Sequence, residues 1–243
     1  MEEGKAMRTL GVVHARGGSK RIPGKNIKQL HGRPLLDYII RAASESSIDR
    51  LIVSSDDDEI MGVARECGAE VPFRRPDDLA EDVPSELVTL HALDWLEAND
   101  GARYDVVVTL QPTTPFVQPM DIDQCISILR HDQEAASCFT AVRVTQHPQW
   151  MFVVDERGYA STMMEGRVAG ERGVFQSLKP LFIPNGAAYA TRVMALRKDQ
   201  AIIANPSRLV AMTPERSIDI DEPIDWVVAE ATAAYYGFFL SRT

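Results

Sequence analysis

Short apolar runs alternate with amphipathic stretches along most of the chain. Positions 10–13 read Leu-Gly-Val-Val and stop abruptly at a polar, glycine-rich segment. Such a run reads as a buried strand feeding a ligand loop. Pro34 suits a helix N1 position, and Leu35, Leu36, Ile39, Ile40 and Ala43 follow at helical spacing. A second strand is expected over 51–54, followed by Ser-Asp-Asp-Asp. A helix over about 59–67 closes at Gly68, a suitable C′ residue. A third strand is expected over 71–73. Residues 74–86 carry too much charge and proline for core, so they read as a loop before a helix over about 85–97. The run DVVVTL at 105–110 is β-branched and almost wholly apolar, which predicts a central strand buried on both faces.

That strand ends in Gln111-Pro112-Thr113-Thr114-Pro115, where two prolines fix a turn that no helix or strand could traverse. A helix over about 120–130 follows, with Ile122, Cys125, Ile126 and Leu129 on one side, and then a strand over 137–144. Between 145 and 181 the pattern changes: apolar pairs, glycines and charges alternate, as in a hairpin excursion. Asn185-Gly186 taken alone would be only a turn signal. A strand over 208–212 and a helix over about 222–239 close the chain. Strands alternating with helices across short connections predict α/β architecture with a parallel sheet.

At 243 residues the chain is expected to form a single domain over 1–243, and a 45 % hydrophobic fraction is ample for its core. No apolar stretch approaches the roughly 18 residues of a membrane span, and the N-terminus shows no secretory h-region. Cys67, Cys125 and Cys138 are odd in number and lack metal-type spacing. They read as reduced buried thiols in a cytoplasmic protein. A net charge of −9 argues against a nucleic-acid binder.

Against that acidic background the N-terminal segment inverts sign. From Gly4 to Leu36 there are eight Lys or Arg residues and no Asp or Glu. Within GVVHARGGSKRIPGKN, Gly17 and Gly18 are expected to reach positive φ and let consecutive N–H groups face one anion. Arg16, Lys20, Arg21 and Lys25 supply charge, and together they predict a phosphate site. The segment is not a P-loop, because Gly18 and Gly24 are one residue too far apart and Asn26 stands where that motif has a hydroxyl. The fingerprint GxGxxG is absent too.

A second candidate is Ser217-Ile218-Asp219-Ile220-Asp221-Glu222. In an extended segment Asp219 and Asp221 share one face, with Ile218 and Ile220 on the other. Two such carboxylates suit Mg²⁺, which keeps several waters and takes phosphate oxygens as well. A simpler role is open at this point: either aspartate could cap the final helix.

The opening segment resembles the [IV]PARGGSKxIPxKN motif of the sugar-activating cytidylyltransferases, with the acylneuraminate cytidylyltransferases nearest. RRPDDLAEDVPSE, LQPTTP, PNGAAY and SIDID match further family motifs in the same order. The resemblance implies a Rossmann-like, mainly parallel sheet flanked by helices, of nucleotide-diphospho-sugar transferase type. It implies that 145–181 is a small β-rich dimerisation insertion, making a homodimer. The reaction implied is CTP plus an acidic nine-carbon sugar, of sialic or legionaminic type, giving the CMP-sugar and pyrophosphate. By resemblance, Ala15, Arg16, Gly17, Gly18, Ser19, Lys25, Asn26, Arg75 and Ser85 would hold CTP, with Glu86 standing in for Ser85 if the register slips. Arg16, Lys25 and Asp221 would be catalytic. Gln111, Thr113, Asn185 and Tyr189 would contact the sugar. Asp219 and Asp221 would hold Mg²⁺, with Mn²⁺ as a substitute.

The chain departs from the family pattern in places. His14 replaces a proline, Phe116-Val117 replaces Leu-Arg, and Ala188 replaces an isoleucine. The family's cations for the sugar carboxylate are missing, and Arg143, Arg167, Arg172 or Lys179 would have to serve. Two other readings stand beside this one. A Kdo-activating cytidylyltransferase has a similar RIPGK core, although the GGS insertion and NGAAY favour the acylneuraminate side. The other is a nucleotide-binding protein of the same fold without turnover.

Overall fold

Thr9–His14 (β1) lies inside a six-stranded sheet, between Arg50–Ser54 (β4) and Val106–Leu110 (β5), parallel to both. The computed structural model describes residues 7–164 and 178–238. Beyond β5 come Phe182–Arg192 (β9), Ser137–Arg143 (β6) and Ser207–Met212 (β10). β9 runs antiparallel to both β5 and β6, whereas β10 is parallel to β6. Gln29–Leu30 (β2) and Arg33–Pro34 (β3) form a short separate ribbon. The sheet is thus mainly parallel, as the alternating pattern predicts, with one reversed strand, β9, that the pattern does not foresee.

Residues on β1 and β5 alternate between two apolar layers. Val13, Val106, Val108 and Leu110 pack with Leu36 and Ile39 of Leu35–Ser44 (α1), Ile60 of Asp58–Glu66 (α2) and Ile122 of Pro119–His131 (α4). On the opposite face Leu10, Val12 and Val107 meet Leu93 and Leu96 of Ser85–Asp100 (α3) and Leu196 of Val193–Asp199 (α5). Each fully buried Leu or Ile contributes roughly 1.5–3 kcal/mol relative to an exposed one. A third cluster joins Ile22, Leu30, Leu35 and Phe116 to Ile220 and to Trp226, Ala229 and Ala233 of Pro223–Tyr236 (α6).

Several expectations need correction. No strand forms at 71–73; only Glu70 bridges Ile52 at the sheet edge. Pro72 follows almost at once and has no N–H to extend a ladder. Asn185-Gly186 does not turn the chain. Both lie inside the long strand β9, at a register irregularity opposite Phe139 and Ala141, with Gly186 at φ +81°. That left-handed conformation favours glycine and fits a bulge. Cys125 and Cys138 are buried, but Cys67 is only partly so. The helix expected over 85–97 runs on to Asp100 and stops at Gly101, whose φ is +64°.

Between 145 and 181 the described residues do contain a hairpin, Phe152–Val154 (β7) against Ala160–Thr162 (β8). Met151, Phe152, Val153 and Tyr159 are exposed on it, whereas Trp150 is half-buried.

Candidate active site

The carboxyl ends of β1 and β5 open into a cleft of about 460 Å³. Open α/β sheets bind ligands there. The loop after β1 contributes Arg16, Ser19, Lys20, Arg21, Lys25 and Asn26 to its walls. Arg75, Ser85, Gln111, Thr113 and Asp221 close the remaining sides. Residues far apart in the sequence thus meet in one cleft whose cations outnumber its carboxylates, Glu81, Asp82 and Asp221. Ser85 opens α3, whose N-terminal dipole adds partial positive charge.

The loop is held by its own Asn26 and by groups at and just after the end of β4. Asn26, 5 % exposed, donates from Nδ2 to the Arg16 carbonyl at 2.9 Å. Ala15 is buried, and its N–H donates to Ser54 O. Gly17 N–H donates to Asp56 Oδ1 at 3.1 Å, and Ser19 N–H donates to Gly17 O. Neither Gly17 nor Gly18 has positive φ; Gly24 does, at +63°. The expectation of a left-handed nest at Gly17-Gly18 is therefore corrected. Gly17 is small for another reason: an added Cβ would lie 2.8 Å from both Cβ and Oδ2 of Asp57. Asp57 is the N-cap of α2, accepting from the N–H groups of Glu59 and Ile60. Gly17→Ala is expected to cost on the order of 1 kcal/mol, comparable to losing that cap. Thermal denaturation checks this; an unchanged Tm would mean that the loop simply moves aside.

Arg16 Nη1 pairs with Asp82 at 2.5 Å, and Lys20 reaches the same carboxylate at 3.5 Å. Arg75 is 3 % exposed and donates from Nε and Nη2 to Ser54. Burial, reinforced by Arg16, lowers its pKa to about 10, with Asp56 opposing, so it stays charged at neutral pH. His14, at the end of β1, contacts Thr89 Oγ1 through Nε2 at 3.1 Å. Burial first, and then the Arg75 charge, lower its pKa to about 3.

Lys25 Nζ donates to Ile220 O at 2.7 Å and to Asp221 Oδ1 at 3.2 Å, tying the basic loop to the aspartate segment. Ile220 is fully buried, so the predicted inward and outward alternation holds there. The N-cap of α6 is Glu222, in a capping box with Asp225, whose carboxylate also accepts from Asp221 N–H. Neither Asp219 nor Asp221 is that cap. Protein crowding pushes the Asp219 carboxyl above its usual range and the Asp221 charge adds to this, while Thr113 and Lys25 oppose it. Asp219 is nevertheless an exposed residue, so solvent screens much of this effect without reversing its direction.

Among the described residues no group of three or more His, Cys, Asp or Glu could hold a metal. A pair of carboxylates beside a cation-rich cleft nevertheless fits Mg²⁺, which takes one or two carboxylates and completes its shell with water and phosphate. The surrounding backbone leaves room: a Cβ on Gly186 would sit 3.2 Å from Asp219 Oδ2.

The sugar-side candidates divide. Gln111 and Thr113 line the cleft, but Asn185 and Tyr189 are not among its lining residues. Asn185 is 3 % exposed and fully engaged, donating to Ser217 Oγ and accepting from Thr140 Oγ1. Tyr189 is buried near Asp219, and burial raises its pKa. Of the candidate carboxylate cations, Arg143 and Lys179 lie near His147, away from the cleft, and Arg167 and Arg172 fall outside the described residues. Sequence reasoning missed Asp56, Asp57 and Thr89, because only the fold brings them to the loop.

A helix-flanked, mainly parallel sheet with a cation-rich cleft at its carboxyl ends defines the class of α/β nucleotide-handling proteins. The sequence model of the family "Cytidylyltransferase" matches residues 10–224, and the chain belongs to that family. CMP-N,N'-diacetyllegionaminic acid synthase of Legionella pneumophila is 32 % identical over 92 % of this chain and 95 % of its own length. N-acylneuraminate cytidylyltransferase B of Danio rerio is 33 % identical over 94 % of this chain, which spans only 52 % of that relative. A CMP:2-keto-3-deoxy-manno-octonic acid synthetase solved with CTP shares the fold, with a TM-score of 0.67, 17 % identity and coverage of 94 % of this chain and 99 % of its own. No helix among the described residues is long and apolar enough to cross a membrane.

Proposed function

We propose that this chain transfers CMP from CTP to the anomeric hydroxyl of an acidic nine-carbon sugar, of sialic or legionaminic type, and releases pyrophosphate. The observation that carries the reading is Lys25, which bridges the basic loop and Asp221 inside one cleft. The match to a legionaminic acid synthase over 92 % of this chain and 95 % of that relative supports the sugar class. The Kdo-type reading has only a fold likeness at 17 % identity behind it.

In the reaction the anomeric oxygen bonds to the α-phosphorus, the α–β bridging bond breaks with its electron pair leaving on pyrophosphate, and the hydroxyl proton passes to solvent. Arg16 and Lys25 hold phosphate oxygens and stabilise charge growing on the departing pyrophosphate. Arg75 and Ser85 position the nucleotide, and Gln111 and Thr113 orient the sugar beside it. Asp219 and Asp221 would hold Mg²⁺, whose charge would offset that of the phosphates. Pyrophosphate release with CTP and a panel of acidic sugars, read by mass spectrometry, tests this. Turnover is expected with CTP and one sugar of this class; equal turnover with ATP, GTP and UTP, or none with any sugar, would overturn it.

The assembly proposed is a homodimer built on the 145–181 excursion. Exposed Met151, Phe152, Val153 and Tyr159 on that excursion support it, since a monomer rarely leaves so much apolar surface bare. An interface of obligate type would bury more than about 2,000 Å². Light scattering is expected to give twice 27.0 kDa, and a single-chain mass at micromolar concentration counts decisively against the dimer. The three unpaired cysteines fit a reducing, cytoplasmic setting.

A further inference from the structure

His14 stands where the resembled family has proline, and the reaction as proposed above gives it no task. Its hydrogen bonds fix its tautomer. Thr89 Oγ1 donates its single proton to Ser85 O, because a carbonyl can only accept. The Thr109 hydroxyl, 2.9 Å away, must then donate to Thr89. His14 Nε2, the third neighbour at 3.1 Å, can only be the protonated nitrogen. Nδ1 therefore carries a lone pair. It has no partner among the described residues, yet it is not among their buried unpaired atoms, so it opens into the cleft that the ring lines. The ring stays neutral, since burial and Arg75 hold its pKa near 3.

A neutral acceptor repels phosphate oxygens and asks for a donor. Phosphates of a nucleoside triphosphate offer none at neutral pH, so His14 faces the nucleoside. Val88 and Pro112, both lining the cleft and buried, suit the flat apolar body of a base. Arg75 commits Nε and Nη2 to Ser54, leaving Nη1 as a donor at the same cleft. One donor and one acceptor match the N3 acceptor and the exocyclic 4-amino donor of cytosine. Uracil presents the reverse order at these positions.

We infer that His14 Nδ1 accepts a hydrogen bond from the 4-amino group of the cytosine ring and so selects CTP over UTP. The inference rests on the CTP-dependent reading above. The test is equilibrium binding of CTP and UTP to the full chain, with the wild type, His14→Phe and His14→Gln. The wild type is expected to prefer CTP. His14→Phe keeps a ring but no acceptor, and its CTP-to-UTP preference should fall about tenfold, the scale of one hydrogen bond. His14→Gln returns a carbonyl acceptor and should recover part of the preference. A ratio is insensitive to the fraction of folded protein, so a destabilised variant still reports. An unchanged ratio in His14→Phe, or an equal loss for both nucleotides, overturns the role of His14 while leaving the enzyme reading standing. A wild type that does not bind CTP overturns both.

Discussion

Arg16→Ala is expected to lower kcat roughly 10²–10³-fold while CTP binding changes far less. In the free protein Arg16 is paired with Asp82, and both side chains are substantially exposed. Such a pair contributes about 0–1 kcal/mol at most, so its loss should barely touch stability. On the reading proposed above, Arg16 would exchange that screened partner for phosphate oxygens when the triphosphate enters the cleft that it lines. Charge on the bridging oxygen and the departing pyrophosphate grows as the α–β bond breaks. A cation there meets more negative charge in the transition state than in the bound substrate, and only that difference accelerates chemistry. Steady-state kinetics separate the possibilities. A raised KM with kcat unchanged would make Arg16 a uniform binding residue.

Asp221→Ala is expected to abolish turnover, or to move its Mg²⁺ requirement to far higher concentration, while the protein stays folded. Glu222 and Asp225 supply the cap of α6, so removing the Asp221 carboxylate leaves the helix start intact. Asp221 is an exposed residue, and Lys25 keeps its bond to Ile220 O. Mn²⁺ should rescue part of the activity, because it accepts similar oxygen ligands. Asp219→Asn provides a companion measurement. Crowding and the Asp221 charge raise the folded-state pKa of Asp219 above its unfolded value. A raised carboxylate pKa means that ionisation costs stability. The cost is absent in acid, builds as pH rises above about 3.9, and is complete above the folded pKa. At neutral pH without metal, Asp219→Asn should therefore melt higher than the wild type while losing activity. If Asp221→Ala melts several degrees lower yet keeps the wild-type response to Mg²⁺, the metal assignment is wrong.

The parallel core was legible because β1, β4 and β5 are short apolar runs with turn chemistry at each end. β9 was not. Its Phe-Ile-Pro-Asn-Gly start carries every local sign of a turn, and it is a strand only because β5 and β6 pair with it on both sides. The error at 71–73 is the converse, two apolar residues around Pro72, which has no N–H to extend the single bridge between Glu70 and Ile52. The loop's charge and its partnership with Asp221 could be expected from motif order. The reason for Gly17 could not, since Asp57 lies 40 positions away and meets it only through the pairing of β1 with β4. The tautomer of His14 depends on Thr89 and Thr109 in the same way.

The third apolar cluster has a consequence for the order of synthesis. Ile22, Leu30 and Leu35 leave the ribosome early, whereas Ile220, Trp226, Ala229 and Ala233, which cover them, come last. Lys25 likewise waits through 195 residues for its carbonyl partner. A nascent chain can pair β1, β4 and β5 long before it owns a complete cleft. A chain stalled before residue 220 therefore carries the basic loop with its contacts to Ser54, Asp56 and Asp82 already available, but without the Ile220 carbonyl and the Asp221 carboxylate that hold Lys25.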